Sequence, residues 1–85
     1  MKDVKIVIGQ RGWVWVGFVE ETEKEVTITK ARCVRNWGTT KGLGELVNGP
    51  LSGTKLDPCG TVRIHPLARV ASIDCNPEKW ADVLV

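Results

Sequence analysis

The sequence of 85 residues contains no tyrosine, one phenylalanine, one methionine and one histidine. With His65 alone between Ile64 and Pro66, there is no second imidazole for a structural zinc site and no evident partner for general-base work. The three cysteines, Cys33, Cys59 and Cys75, are odd in number, widely spaced and free of any CxxC pair. They read as reduced thiols and not as a disulfide framework, with Cys33 and Cys75 as small buried hydrophobes. None sits beside a recognisable base and orienting group. The segment 38–44 has the glycines, threonines and lysine of a phosphate loop but not the GxxxxGK[ST] order that places Lys and hydroxyl at a helix start. Neither catalysis nor a metal or cofactor is expected.

Charge of one sign is also scarce. Twelve Lys and Arg against ten Asp and Glu leave a net +2, too little for a general nucleic-acid or anionic-membrane field. The longest apolar runs, 6–8 and 13–16, fall far short of the ~20 residues of a membrane span. With no secretory hydrophobic segment, a cytoplasmic location without membrane partners is expected.

What is present is alternation. Residues 2–8 read as a strand through Val4, Ile6 and Ile8, followed by a polar turn at 9–12. A second strand, 13–20, puts Val14, Val16 and Phe18 on one side and Trp13, Trp15 and Val19 on the other. A third, 25–37, alternates Val26 and Ile28 with threonines, then changes aim at a bulge or bend near Lys30. Thr39 or Thr40 can cap a short helix that presents Leu43, Leu46 and Val47 before Gly49 and Pro50 stop it. Residues 51–60 read as an exposed loop, 61–65 and 69–75 as short strands, and Asn76 with Pro77 as the start of a helix over 78–83. The reading is one small, mainly β domain over 1–85. Its five strands form a strongly curved antiparallel sheet or partly open barrel, SH3-like or OB-like, with one or two short helices. A core of this size leaves little margin, and self-association is a common remedy.

Four tryptophans in so short a chain are the most informative excess. Trp13 and Trp15, two apart on a strand, project from the same face. If Val14, Val16 and Phe18 fill the core, the indoles meet a second core layer formed by Trp80, Val83 and Leu84, a subunit, or a ligand. Arg32 and Arg35 fall on opposite sides of the third strand, Arg35 on the side of Trp37. Arginine forks bind phosphate and indole planes stack bases. Trp13, Trp15, Arg32, Arg35 and Trp37 are the candidate binding or interface surface, whose arginines otherwise solvate the sheet or pair with Glu20, Glu21 and Glu25.

The succession Val14, Trp15, Val16, Gly17, then Glu25 to Ile28, Ala31 and Arg32, Trp37 and Gly38, Leu43 with Glu45 and Leu46, Gly49, and Ala71 to Cys75 resembles a family of short, uncharacterised proteins encoded by phages and prophages. The pattern runs VxVG, AR, WG, LxEL and a closing strand that ends in Cys. Here Arg35 and Asn36 stand where aromatics are common in that pattern, and Trp13 where a small residue is usual. The resemblance implies a dispensable accessory protein. The expected function is therefore a non-catalytic, self-associating protein that modulates the host by blocking or sequestering a host-defence component, either a protein or a small anionic nucleotide signal. The alternatives are a small-barrel nucleic-acid-binding module and a structural protein of the virion.

Overall fold

The computed structural model describes residues 3–85. Lys2, expected at the start of the first strand, lies outside them. Five strands form one antiparallel sheet: β1 (Asp3–Gly9), β2 (Val14–Glu21), β3 (Val26–Asn36), β4 (Lys55–Ile64) and β5 (Arg69–Asp74). Their order is β4-β3-β2-β1-β5. The chain runs as a meander through β4 and then returns to pair β5 with β1. Only 65–68 separate β4 from β5, the two edges of the sheet, and such a link reaches about 18 Å at most when fully extended. The sheet must curl to bring its edges that close, yet β4 and β5 do not pair. A mainly β, curled and unclosed barrel is the result.

The curl has a local cause in the middle strands. Register between β2 and β3 shifts between Val16 and Phe18, and Lys30 takes the left-handed conformation at φ 53. This is the anticipated bend. Gly17 faces it, and a Cβ there would lie 2.6 Å from Ile28 Cγ2 and 2.8 Å from the Thr29 carbonyl oxygen. Only a glycine lets β3 cross so near.

Each face of the sheet buries its own cluster. On the first, Val4, Ile6, Val14, Val16 and Val34 pack with Leu43, Leu46, Trp80 and Leu84. Val7, Trp15, Val19, Val26, Ile28 and Ala31 pack on the second. The anticipated helix over the forties is a 3-10 turn, Leu43–Asn48. No side chain caps it, because Gly42 enters at φ 108, and the Glu45 carboxylate instead accepts from the Lys41 N–H and the Thr40 hydroxyl. At the C-terminus, Asn76 caps a four-residue α1 (Pro77–Trp80) by accepting from the Glu78 N–H at 3.1 Å. Beyond it, the Val83 and Leu84 N–H groups close on the Trp80 carbonyl.

Two boundaries need correction, the first being the expected helix over 78–83, which stops at Trp80. Residues 55–60, read as loop, are the first half of β4, in which Leu56, Asp57 and Pro58 pair with Val34, Cys33 and Arg32. Pro58 and Gly60 are tolerated because β4 is an edge strand broken by register shifts, where a missing N–H or a left-handed residue is absorbed as a bulge. Among the described residues, no helix is long and apolar enough to cross a membrane.

Candidate functional site

The β1–β2 connection is a tight turn at Gln10–Gly12, in which Arg11 and Gly12 both take positive φ, 63 and 81. The Gly9 N–H donates to the Trp13 carbonyl at 2.7 Å and closes it. Trp13 and Trp15 leave this turn on one face. Their rings stack with centroids 5.6 Å apart and planes 9° from parallel, an offset geometry favoured by the ring quadrupoles.

The two indoles have different fates. Trp15 is 8% exposed and joins the second cluster, whereas Trp13 is 54% exposed. Gly9 makes room for the inner ring, since a Cβ there would come within 2.8 Å of Trp15 Cζ3. Trp15 therefore lies across β1 with Trp13 as its lid. The tail does not cover this pair, because Trp80 and Leu84 pack on the opposite face of the sheet. A second core layer of tail residues over Trp13 and Trp15, one of the expectations from sequence, is thereby corrected. The tail goes to the first face because that face offers the Leu43 and Leu46 wall, where the Trp80 Nε1–H donates to the Leu46 carbonyl at 2.9 Å.

Register extends the site across the sheet. Val7 pairs with Trp15, Trp15 with Cys33 and Cys33 with Asp57, so all four share a row on one face. Two residues further along β3, Arg35 lies on the same face as Cys33. The Arg35 Nε–H donates to Asp57 Oδ2 at 2.9 Å, an ion pair whose side chains are both largely in water. Exposed pairs of this kind contribute about 0–1 kcal/mol, so the guanidinium is half-neutralised but free to exchange partners. Burial, then the neighbouring Cys59 and Asp57, push the Cys33 thiol above its ordinary value. Cys33 is thus a neutral filler between Trp15 and Asp57.

The other two candidates lie elsewhere. Arg32 belongs to the first face, where its Nη2 donates to the Val83 and Val85 carbonyls at 3.3 and 3.2 Å and pins the tail. Trp37 follows the end of β3, 41% exposed, with its carbonyl accepting from the Thr54 hydroxyl at 2.7 Å. Gly38 there packs directly on the Gly53 backbone. Of the five residues, the structure stacks Trp13 on Trp15 and places Arg35 on the same face of the sheet.

Asp57 and Gly9 are the participants that sequence reasoning missed. Asp57 was hidden in the supposed loop, while the signal for Gly9 is a glycine two residues beyond Val7 on the strand that Trp15 must cross. His65 has a structural task, its Nδ1 accepting the Leu67 N–H at 3.1 Å to cap the 3-10 turn Pro66–Ala68. A further recess of about 280 Å³ is lined by Asp3, Val4, Lys5, Asp74, Cys75 and Pro77. Lys5 lies 3.7 Å from Asp74 across it. Burial raises the Cys75 thiol to about 11, which keeps it protonated and poorly nucleophilic at neutral pH. No family model, curated protein or solved structure matches this chain.

Proposed function

We propose that this chain is a non-catalytic accessory protein of phage type that acts by occupying a host-defence protein through the end of its β1–β2 hairpin. The observation that carries this reading is the half-exposed Trp13 indole held flat on the buried Trp15 ring. A side chain fixed in this way has already lost most of its rotamer freedom, so docking it into a partner's pocket costs little further ordering. Tryptophan and arginine are the residue types that most often dominate such contacts, and Arg35 lies on the same face. Its pairing with Asp57 favours a protein surface over a polyphosphate, because the cation already has a carboxylate partner.

The direct test is phage plating on defended host cells that express either the wild type or Trp13→Ala. Wild type should raise plating efficiency and Trp13→Ala should not, although circular dichroism shows both folded. Equal restoration by the variant, or none by the wild type, removes the reading. A nucleotide signal is the second reading, supported by the free outer π-face of Trp13 with Arg11 in the adjoining turn and Arg35 on the same face. Quenching of tryptophan fluorescence by a nucleotide, abolished in Trp13→Ala, would favour it over the protein partner.

A further inference from the structure

The two edges of the sheet are built differently. β4 carries Pro58, Gly60 at φ 71, and three register shifts against β3. Such features blunt an edge against further pairing. β5, by contrast, reads Arg-Val-Ala-Ser-Ile-Asp, with no proline, glycine or lysine and one register shift, at its start. Its Val70, Ala71 and Ser72 are all exposed.

The hydrogen bonds show which groups this edge presents. The Cys75 N–H donates inward to the Val4 carbonyl at 2.9 Å, whereas the next one, Asn76, donates outward to the Val47 carbonyl at 2.9 Å. By alternation, Ile73 and Ala71 turn their backbone groups toward β1. Asp74 and Ser72 turn theirs outward, while at Val70 the pairing shifts register, Ile8 facing Ala71 and Gly9 facing Arg69. The 3-10 turn Leu43–Asn48 thus covers the outward position at Asn76, while Val70, Ala71 and Ser72 stay exposed.

We infer that β5 is the contact of a symmetric dimer in which β5 of a second copy pairs antiparallel to it across a twofold axis at Ser72. In antiparallel pairing, outward groups must oppose outward groups, so Ser72 meets Ser72 of the other copy. Ala71 then opposes Ile73, which puts apolar pairs on the first face, where Ile73 already packs on the cluster. Arg69 and Asp74 lie on the second face, because Arg69 pairs with Glu21 and Asp74 with Lys5. The axis brings Arg69 of each copy beside Asp74 of the other. Asp74 is the open end of that network, with most of its side chain in water. The strand is thus complementary in charge and in apolar pattern to its own antiparallel copy. Leu67, 82% exposed, and Val70, 68% exposed, lie at the start of the same edge.

Native mass spectrometry and light scattering on the full chain should show a species of twice the chain mass. Ser72→Pro removes the outward N–H at the axis, and Ala71→Lys, at an exposed position, sets a charge against Ile73 of the other copy. Both should shift the protein to monomer, with Ala71→Lys keeping the wild-type circular dichroism if the proline variant fails to fold. A wild type that stays monomeric at all concentrations overturns the inference. So does a dimer that survives Ala71→Lys, or one lost in Trp13→Ala, which would assign the contact to the hairpin end.

Discussion

Trp80 and Trp13 are the same side chain on opposite faces of one sheet, and the fold treats them differently. Trp80 is fully buried, touches the Val, Leu and Ile wall of the first face and donates its indole N–H to the Leu46 carbonyl. Trp13 rests on a single ring and leaves its outer plane in water. The first face is sealed by the chain itself, with 43–48 and the tail folded over it. Among the described residues, no such cover reaches the hairpin end of the second face. An indole built into stability thus has its polar atom satisfied internally. One held on a single stacked neighbour is positioned for contact.

The largest test of this contrast is Trp80→Ala against Trp13→Ala. Emptying the Trp80 site should cost about 3–5 kcal/mol, enough to threaten folding of so small a domain. Removing Trp13 should cost about 1 kcal/mol, the worth of its stacking contact. Urea midpoints at constant slope measure both, and equal losses would erase the distinction between the two faces. Next comes Gly17→Ala. The added methyl meets Ile28 and the β3 backbone at less than contact distance, so overpacking of about 1–3 kcal/mol is expected at the bend. A neutral result would show that β3 can straighten, and that the curl does not depend on this crossing.

Arg32→Ala sharpens the comparison from the other side. Arg32 looked like a companion of the exposed tryptophans, but its guanidinium donates to Val83 and Val85 carbonyls on the sealed face. Its loss should cost about 1 kcal/mol and speed hydrogen exchange at the tail amides, while leaving the Trp13–Trp15 stack intact. Arg35→Ala should do neither, because its partner Asp57 is itself solvated. If the two arginine variants exchange the tail amides alike, the tail is held by packing alone.

These assignments show where sequence reasoning carries and where it stops. The alternation through Val4, Ile6, Val14, Val16, Val26 and Ile28 reads directly as strands, and the change of phase near Lys30 reads as a bend, because side-chain period is a local property of extended backbone. Asn76 and Pro77 announce their turn for the same reason. The first half of β4 does not read as strand, since Pro58 and Gly60 carry loop chemistry and only the pairing with β3 overrules it. Period two also puts Trp13 and Trp15 on one side without saying which of them is covered. That depends on Gly9, seven residues or fewer away in sequence but across a strand pair in space. Which face the tail would choose depends on the Leu43 and Leu46 wall, a tertiary fact with no local signature.

The smallest effect concerns the thiols, one per face. Cys75 packs against the first cluster and Cys33 against the second, and burial is the leading cause of the raised value of each. For Cys75 the folded value is about 11, with Asp74 adding to the rise and a backbone hydrogen bond at Ile6 opposing it. A raised thiol value means that the native state favours the protonated form. Its contribution to stability is therefore complete below the ordinary thiol range and drains away as pH climbs through about 11. At neutral pH, Cys75→Ala should change only packing, but in alkali its stability should fall less steeply than that of the wild type. Disulfide-exchange labelling of the native protein should modify the exposed Cys59 first, Cys33 next and Cys75 last, with all three reacting alike in urea. Fast labelling of Cys33 with Cys75 still protected would mean that the second face opens more readily than the first, which is what a face closed by one stacked indole predicts.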